Sequence, residues 1–259
     1  MERIVCLLIG YVFGLFQTAF FYGKAHGIDI RQHGSGNSGT TNALRVLGTK
    51  AGLIVLAGDC LKCIAAVVIV RLIFGGSHPD TIYLLCVYTG AGAILGHNFP
   101  FYMNFKGGKG IAATAGMILA FHPYFIIMGV VVFFGIFLTT HLVSLGSLLV
   151  YAGFMIEMVI CGQMGIFGEM TQAQLYEMYA LSAFLAIMAY WRHRENIVRL
   201  LHGNERKTYL LKKNKVNVEE KDQAKEETAV TKEIKTEEVS TKEVSTKEVS
   251  TEEVKTEEQ

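Results

Sequence analysis

Between residues 212 and 259 the chain has no aromatic residue, and ten lysines face fourteen acidic groups. A stretch so charged and so poor in apolar bulk cannot bury enough surface to offset the entropy of ordering. Its TKEVSTKEVSTEEV segment repeats every five residues without a core-forming face. Residues 212–259 therefore read as a disordered low-complexity tail, a polar brush or docking segment with no catalytic role. Acids are scarce elsewhere: residues 1–211 hold nine Asp and Glu against fourteen Lys and Arg. The whole-chain charge of +1 thus conceals a basic body offset by an acidic tail.

Other absences exclude chemistries. GxxxxGK[ST] does not occur, so no nucleotide P-loop is present. No His, Asp and Glu cluster has ligand spacing, and neither a metal nor a cofactor is expected. Cys60 and Cys63 have CxxC spacing but lack a second pair, a histidine cluster or a βαβ pattern. They and Cys6, Cys86 and Cys161 lie in apolar stretches and read as packing residues. No serine stands in a nucleophile–base triad, and no feature points to nucleic acid.

What is present is apolar. Hydrophobic residues make up 51% of the chain and the mean hydropathy is +0.34, too high for an ordinary soluble domain. Residues 1–211 read as an all-α, polytopic membrane bundle of about seven crossings, near 4–21, 51–74, 81–95, 111–121, 124–140, 142–161 and 175–191. The first run is longer than a signal-peptide core and lacks a cleavage site, so it is taken as retained. Asp59 and Lys62 fall inside the second crossing, three residues apart on one helix face, where each can neutralise the other. The fourth crossing is only about eleven residues long. Counting 111–140 as one span gives an alternative with one crossing fewer, which would move residues 140–147 to the opposite side.

Charge placement sets the orientation. Lys24, Arg31, Arg45, Lys50, Lys106 and Lys109 occupy loops on one side, joined there by Arg192, Arg194, Arg199, Arg206 and Lys207. The opposite connections, near 75–80, 121–123 and 162–174, hold no Lys or Arg. The positive-inside rule places the N-terminus outside and the basic loops and tail in the cytoplasm.

Three polar clusters share that side. Lys106, Gly107, Gly108, Lys109 and Gly110 stand before an apolar helix, a construction for holding an oxyanion through backbone N–H groups, a helix start and ammonium groups. Taken alone, the segment could equally be a basic connector. The loop from Gly27 to Gly48 supplies Ser35, Asn37, Ser38, Thr40, Thr41 and Asn42, three glycines, and Arg45 for bidentate phosphate contact. A helix cap at Thr41 or Asn42 would use one of these groups, not all. On a third stretch, His193, Asn196 and Arg199 recur every three residues on one helix side. The arginines there also suit contact with anionic lipid.

These residues carry a resemblance. SGNxGxTNxxR from Ser35 to Arg45, GHxFPxxxxFKGGKGxAxT from Gly96 to Thr114, and SLxS at Ser144 with HxxNIxRLxxGxE from His193 to Glu205 are similar to the bacterial acyl-phosphate-dependent glycerol-3-phosphate acyltransferases. The match covers about residues 1–210. Thr40, His141 and Gly146 are local departures, and the tail lies outside the pattern.

The resemblance implies a cell-membrane enzyme of phospholipid synthesis that transfers an acyl group from acyl phosphate to glycerol-3-phosphate. Among its residues, Gly107, Gly108, Lys109 and Gly110 would bind phosphate, with Ser35, Asn37 and Thr41 on the acyl-phosphate side. Arg45, Ser144, His193 and Asn196 would orient glycerol-3-phosphate, and His97 and Lys106 join the phosphate-binding set. His193, Asn196, Ser35 and Lys109 would be catalytic, with either His193 or the acyl phosphate's own oxygen taking the proton. Membrane lipids and an acyl-phosphate-producing enzyme are the implied partners. A transporter of small organic phosphates is the alternative reading, motivated by the Asp59 and Lys62 pair.

Overall fold

The structure, a computed structural model, describes residues 1–210; the expected tail at 212–259, and the domain boundary before it, lie outside the described residues. Every regular element among them is helical. Five stretches are long and apolar enough to cross a membrane: Glu2–Ala25, Thr49–Phe74, Pro79–Met103, Pro123–Thr140 and Val143–Gln163. The first consists of α1 (Glu2–Gly14) and α2 (Thr18–Ala25); the next four contain α4 (Thr49–Phe74), α5 (Ile82–Asn98), α7 (Pro123–Thr140) and α8 (Val143–Gln163). Between them lie α3 (Thr40–Leu47) and the short α6 (Ile111–Phe121), and α9 (Gln172–Arg192) and α10 (Arg194–Leu201) close the bundle.

The first crossing is not the single helix that its apolar run suggests. It breaks after Gly14, at the only two polar interruptions of the run. Gln17 turns inward, fully buried, and its amide donates to the carbonyls of Gly14 and His97 at 3.3 and 3.0 Å. The carbonyls freed by the break at Leu15 and Phe16 accept from Tyr102 Oη (2.7 Å) and Lys62 Nζ (2.6 Å). An interrupted helix inside a bilayer is tolerated only where such partners exist.

α1 packs on α5 through small residues. Gly10 and Gly14 on one helix meet Gly92 and Gly96 on the other. A Cβ at Gly10 would lie 1.9 Å from the Thr89 carbonyl oxygen, and one at Gly92 2.1 Å from that of Leu7. This is the small-xxx-small contact that brings helix backbones together where lipid supplies no hydrophobic drive between helices.

The eleven residues of α6 traverse the bundle because the helix starts inside it. Gly110, its first cap, lies against Ile94 and Asn98, and its last residue, Phe121, meets Tyr83 at the other end of α5. A rise of about 16 Å covers that interval. At the far end Arg71 donates to the Phe121 carbonyl (2.6 Å), and Phe121, Phe125 and Phe167 pack edge to face or tilted. Pro123 then starts α7 with His122 as its cap.

α7 returns to the first end, where the His141 carbonyl accepts from the Thr208 N–H at 2.9 Å and Ser144 Oγ donates to Glu205 at 3.1 Å. Thr208 also accepts from Arg45 of the first basic loop at 2.7 Å, so residues 140–147 share that loop's side, and the alternative that counts 111–140 as one span is excluded. The inner core is built from Leu84, Ile94, Phe125, Phe154, Met178 and Leu185, while Leu61, Leu72, Ile127, Val131, Leu138 and Ile187 stay exposed, as lipid-facing residues do.

Gly92→Ile should lower the thermal unfolding midpoint in detergent and the folded yield, by an overpacking cost of about 1–3 kcal/mol or more. Gly76→Ala, where a Cβ meets nothing within 4 Å, should leave both unchanged. Equal behaviour of the two variants in a melting experiment would refute the close α1–α5 contact.

Candidate active site

Three stretches far apart in sequence meet at one end of the bundle. The first is the glycine loop, which folds back on the helix it leaves. The Gly107 N–H donates to the Asn98 carbonyl (3.1 Å) and the Gly108 N–H to that of His97 (3.2 Å). Side chains would prevent this: a Cβ on Gly107 would sit 2.0 Å from the His97 carbonyl oxygen, and one on Gly108 2.1 Å from His97 Nε2. The two glycine carbonyls accept from the Arg192 guanidinium at 2.9 and 2.5 Å, and Arg192 also covers the Phe99 ring. The N–H groups of Gly107 and Gly108, expected to face an anion, are therefore already bonded. What the loop leaves available is the Lys109 side chain and the first-turn N–H groups of α6.

The second stretch is the loop before α3. Neither Thr41 nor Asn42 caps that helix; its N-cap is Gly39, with no side-chain bond. Asn42 instead folds the loop over itself, accepting from the Ser35 N–H (2.8 Å) and donating to the carbonyls of Ile30 (3.1 Å) and His33 (3.0 Å). Ser35 is exposed, while Asn37 and Thr41 are half-buried. Ser38 is the junction with the glycine loop: a Cβ on Gly108 would lie 2.7 Å from its carbonyl oxygen. The hydroxyls of Ser38 and Thr40 are buried without a protein partner. Earlier in the same loop Arg31 grips Asp29 at 2.7 Å and holds its carboxyl well below the usual range, at about 2.

The third stretch kinks where α9 ends. His193 caps the break, and its Nδ1 lies 2.7 Å from the Ala189 carbonyl. A carbonyl only accepts, so Nδ1 carries the proton and Nε2 keeps its lone pair. One turn on, Asn196 accepts from Lys109 Nζ and donates to Glu205 Oε1 at 2.7 Å. Glu205 also accepts from Ser144 Oγ (3.1 Å) and Arg199 Nε (2.7 Å). Arg45 reaches the same segment, donating to the Arg206 carbonyl (3.0 Å) and Thr208 Oγ1 (2.7 Å).

Lys109, Asn196 and Ser144 are thus joined through one carboxylate, His193 stands beside them at the kink, and Arg45 anchors the strand of chain that presents Glu205. His97 is buried beneath Gly108, and Lys106 is exposed at the rim. Glu205 and Arg192 were not singled out from the sequence. Glu205 closes the third motif and is one of only two acids, with Glu195, among Arg194, Arg199 and Arg206, a visible signal. Arg192 reads in sequence as a membrane-flanking charge, and its bond to the glycine carbonyls has no pattern to announce it.

The cluster is electrostatically unfinished. Burial, then the Arg199 charge, pushes Lys109 down to about 8; burial and Arg206 lower Arg45. Burial and the Lys109 ammonium push His193 down to about 4, so its imidazole is neutral near pH 7. Cations crowded until they repel one another, around one buried carboxylate, are suited to bind anions. Among the described residues no group of three or more His, Cys, Asp or Glu could hold a metal ion.

Residues 4–203 match the family described as glycerol-3-phosphate acyltransferase. The chain is 37% identical over 204 residues to the glycerol-3-phosphate acyltransferase of Bacillus subtilis, covering 78% of this chain and 95% of that one. It is 39% identical over 209 residues to that of Halalkalibacterium halodurans, covering 80% and 96%. Among solved structures it is similar to the glycerol 3-phosphate form of PlsY (YgiH), an integral membrane glycerol 3-phosphate acyltransferase, with 30% identity, a TM-score of 0.68, and coverage of 81% of this chain and 96% of that one. The lysophosphatidic acid form of PlsY matches with a TM-score of 0.66. With its three motif stretches brought together at one end of a membrane bundle, the chain belongs to the glycerol-3-phosphate acyltransferase family.

Proposed function

We propose that the protein transfers a fatty acyl group from acyl phosphate to the 1-hydroxyl of glycerol-3-phosphate, giving lysophosphatidic acid and inorganic phosphate. The observation that carries this reading is the linkage of Lys109, Asn196, Glu205 and Ser144 inside a crowd of cations. Two phosphate-bearing substrates repel each other, and an arrangement with surplus positive charge and an open helix start lowers the cost of bringing them together. Lys109 and the α6 start serve phosphate, shaped by Gly107, Gly108 and Gly110. The Ser35, Asn37 and Thr41 loop completes the donor side, and Arg45, Ser144, Asn196 and His193 orient the acceptor.

In the transfer the glycerol oxygen bonds to the acyl carbon while the acyl carbon–phosphate oxygen bond breaks, and the electron pair leaves with phosphate. Acyl phosphate is already activated, and no covalent enzyme intermediate is needed. His193 has only Nε2 free, and its lowered basicity suits accepting a hydrogen bond from the attacking hydroxyl better than keeping its proton. The departing phosphate oxygen is the stronger final base. The site end gathers the loop cations, which supports a cytoplasmic site and an outside N-terminus by the positive-inside rule. The acyl chain approaches from the bilayer, and an enzyme that makes acyl phosphate must supply the donor.

Purified protein mixed with acyl phosphate and glycerol-3-phosphate should produce lysophosphatidic acid and phosphate in equal amounts; absence of both would overturn the assignment. Arg45→Ala should raise KM for glycerol-3-phosphate about tenfold or more, the loss of a charge-assisted hydrogen bond. As Lys109 is held near 8, its ammonium is lost as pH rises through that value, so turnover should fall on the alkaline side. Lys109→Arg, if active, should move that limb upward; an unmoved limb would assign it to another group.

A further inference from the structure

Directly beneath Gly108 lies a buried polar network of Asp59, Lys62 and His97. Asp59 and Lys62 on α4 are 1% and 7% exposed, and His97 on α5 is 2% exposed. Lys62 Nζ lies 2.9 Å from Asp59 Oδ1, and Thr18 Oγ1 donates to the same oxygen at 3.0 Å. The ammonium also donates to the Phe16 carbonyl (2.6 Å) and lies 2.9 Å from His97 Nδ1. An ammonium has only donors to offer, so His97 Nδ1 must present its lone pair. That leaves the ring proton on Nε2, and Nε2 is the atom against Gly108, 2.1 Å from where a Cβ would be. The Gln17 amide, donating to the His97 carbonyl at 3.0 Å, holds the backbone of the same residue.

We infer that Asp59 and Lys62 are positioning residues for the transfer: they fix the His97 tautomer and ring, so that Nε2–H is a hydrogen-bond donor to the phosphate seated at the glycine loop. Asp59 stabilises the charge of Lys62, Lys62 sets the proton on His97, and of these three only His97 touches the phosphate. Neutralisation of the pair inside the second crossing, expected from its spacing, is half of its work. The other half is to impose one tautomer on a neutral histidine, which would otherwise exchange between two. This inference rests on the proposed acyl transfer.

Two measurements test it. Histidine-selective 15N NMR of the full chain in detergent, assigned with His97→Gln, should show His97 as the Nε2–H tautomer. In Lys62→Met it should show a mixture or the Nδ1–H form. A His97 that carries its proton on Nδ1 in the unsubstituted protein, or that is unchanged in Lys62→Met, overturns the inference without reference to activity.

In the transfer assay Lys62→Met should raise KM for one phosphate substrate about tenfold, the scale of one hydrogen bond to a charged group, and leave the other within about threefold. Added to His97→Gln, whose amide donates without a tautomer to set, the same substitution should cost less than about threefold, because Lys62 acts through His97. An equal cost in both backgrounds, or equal rises in both KM values together with a lower melting midpoint, would make the pair merely structural. If Lys62→Met does not fold, Asp59→Asn keeps the shape and should shift the same KM in the same direction; no shift overturns the inference. Failure of the unsubstituted protein to make lysophosphatidic acid would instead overturn the parent assignment, leaving the NMR result standing.

Discussion

Two hydrogen bonds, from the N–H groups of Gly107 and Gly108 to the carbonyls of Asn98 and His97, determine much of what this molecule can do. They turn the chain back along α5, so that α6 begins within the bundle and crosses in eleven residues. They press Gly108 against the His97 ring and Ser38, which joins the first polar loop to the second. Their reverse face offers two carbonyls to Arg192, and that bond draws the end of α9 to the loop. The glycines are needed for close approach of one piece of backbone to another. Phosphate affinity falls to what the loop places, namely Lys109 and the start of α6.

Around that loop the protein gathers more positive charge than it compensates. Glu205 accepts from Ser144, Asn196 and Arg199 and is the only carboxylate bonded into the cluster of Lys109, Arg45 and Arg199 among the described residues. A buried carboxylate is costly unless its lone pairs are occupied, and three donors occupy them here. It organises the cations without cancelling them. Burial, and then the Arg199 charge, hold Lys109 down near 8 in spite of that carboxylate.

Much of this was legible in the chain itself. Apolar runs located the crossings, and Lys and Arg placement put the three polar stretches on one side, which is why Lys109 and Asn196 could be named together; Ser144 was legible only through the resemblance. The break at Gln17 was hidden because two polar residues in an apolar run do not say whether a helix bends. Close packing of Gly10 and Gly14 on Gly92 and Gly96 depends on which helices are neighbours, information that no single segment holds. Arg192 escaped because its partners are backbone carbonyls, which every residue has. A cap at Thr41 or Asn42 was an alternative offered by their place at a helix start; tertiary contact turns the Asn42 side chain to the Ser35 N–H instead. Asp59 and Lys62 could be paired by spacing alone, but that their third partner is His97 required the fold.

The claim on which the account most depends is that the glycine loop functions only when it lies flat on His97 and Ser38. Transfer of the acyl group by Gly108→Ala, measured beside its thermal unfolding, tests it most directly. A methyl there would collide with His97 Nε2 and the Ser38 carbonyl, displacing Lys109 and the start of α6. The account predicts a fall in turnover of about a hundredfold, the cost of an ångström of misplacement in a positioned site, with the bundle still folded. Turnover within about threefold of the unsubstituted protein would contradict it.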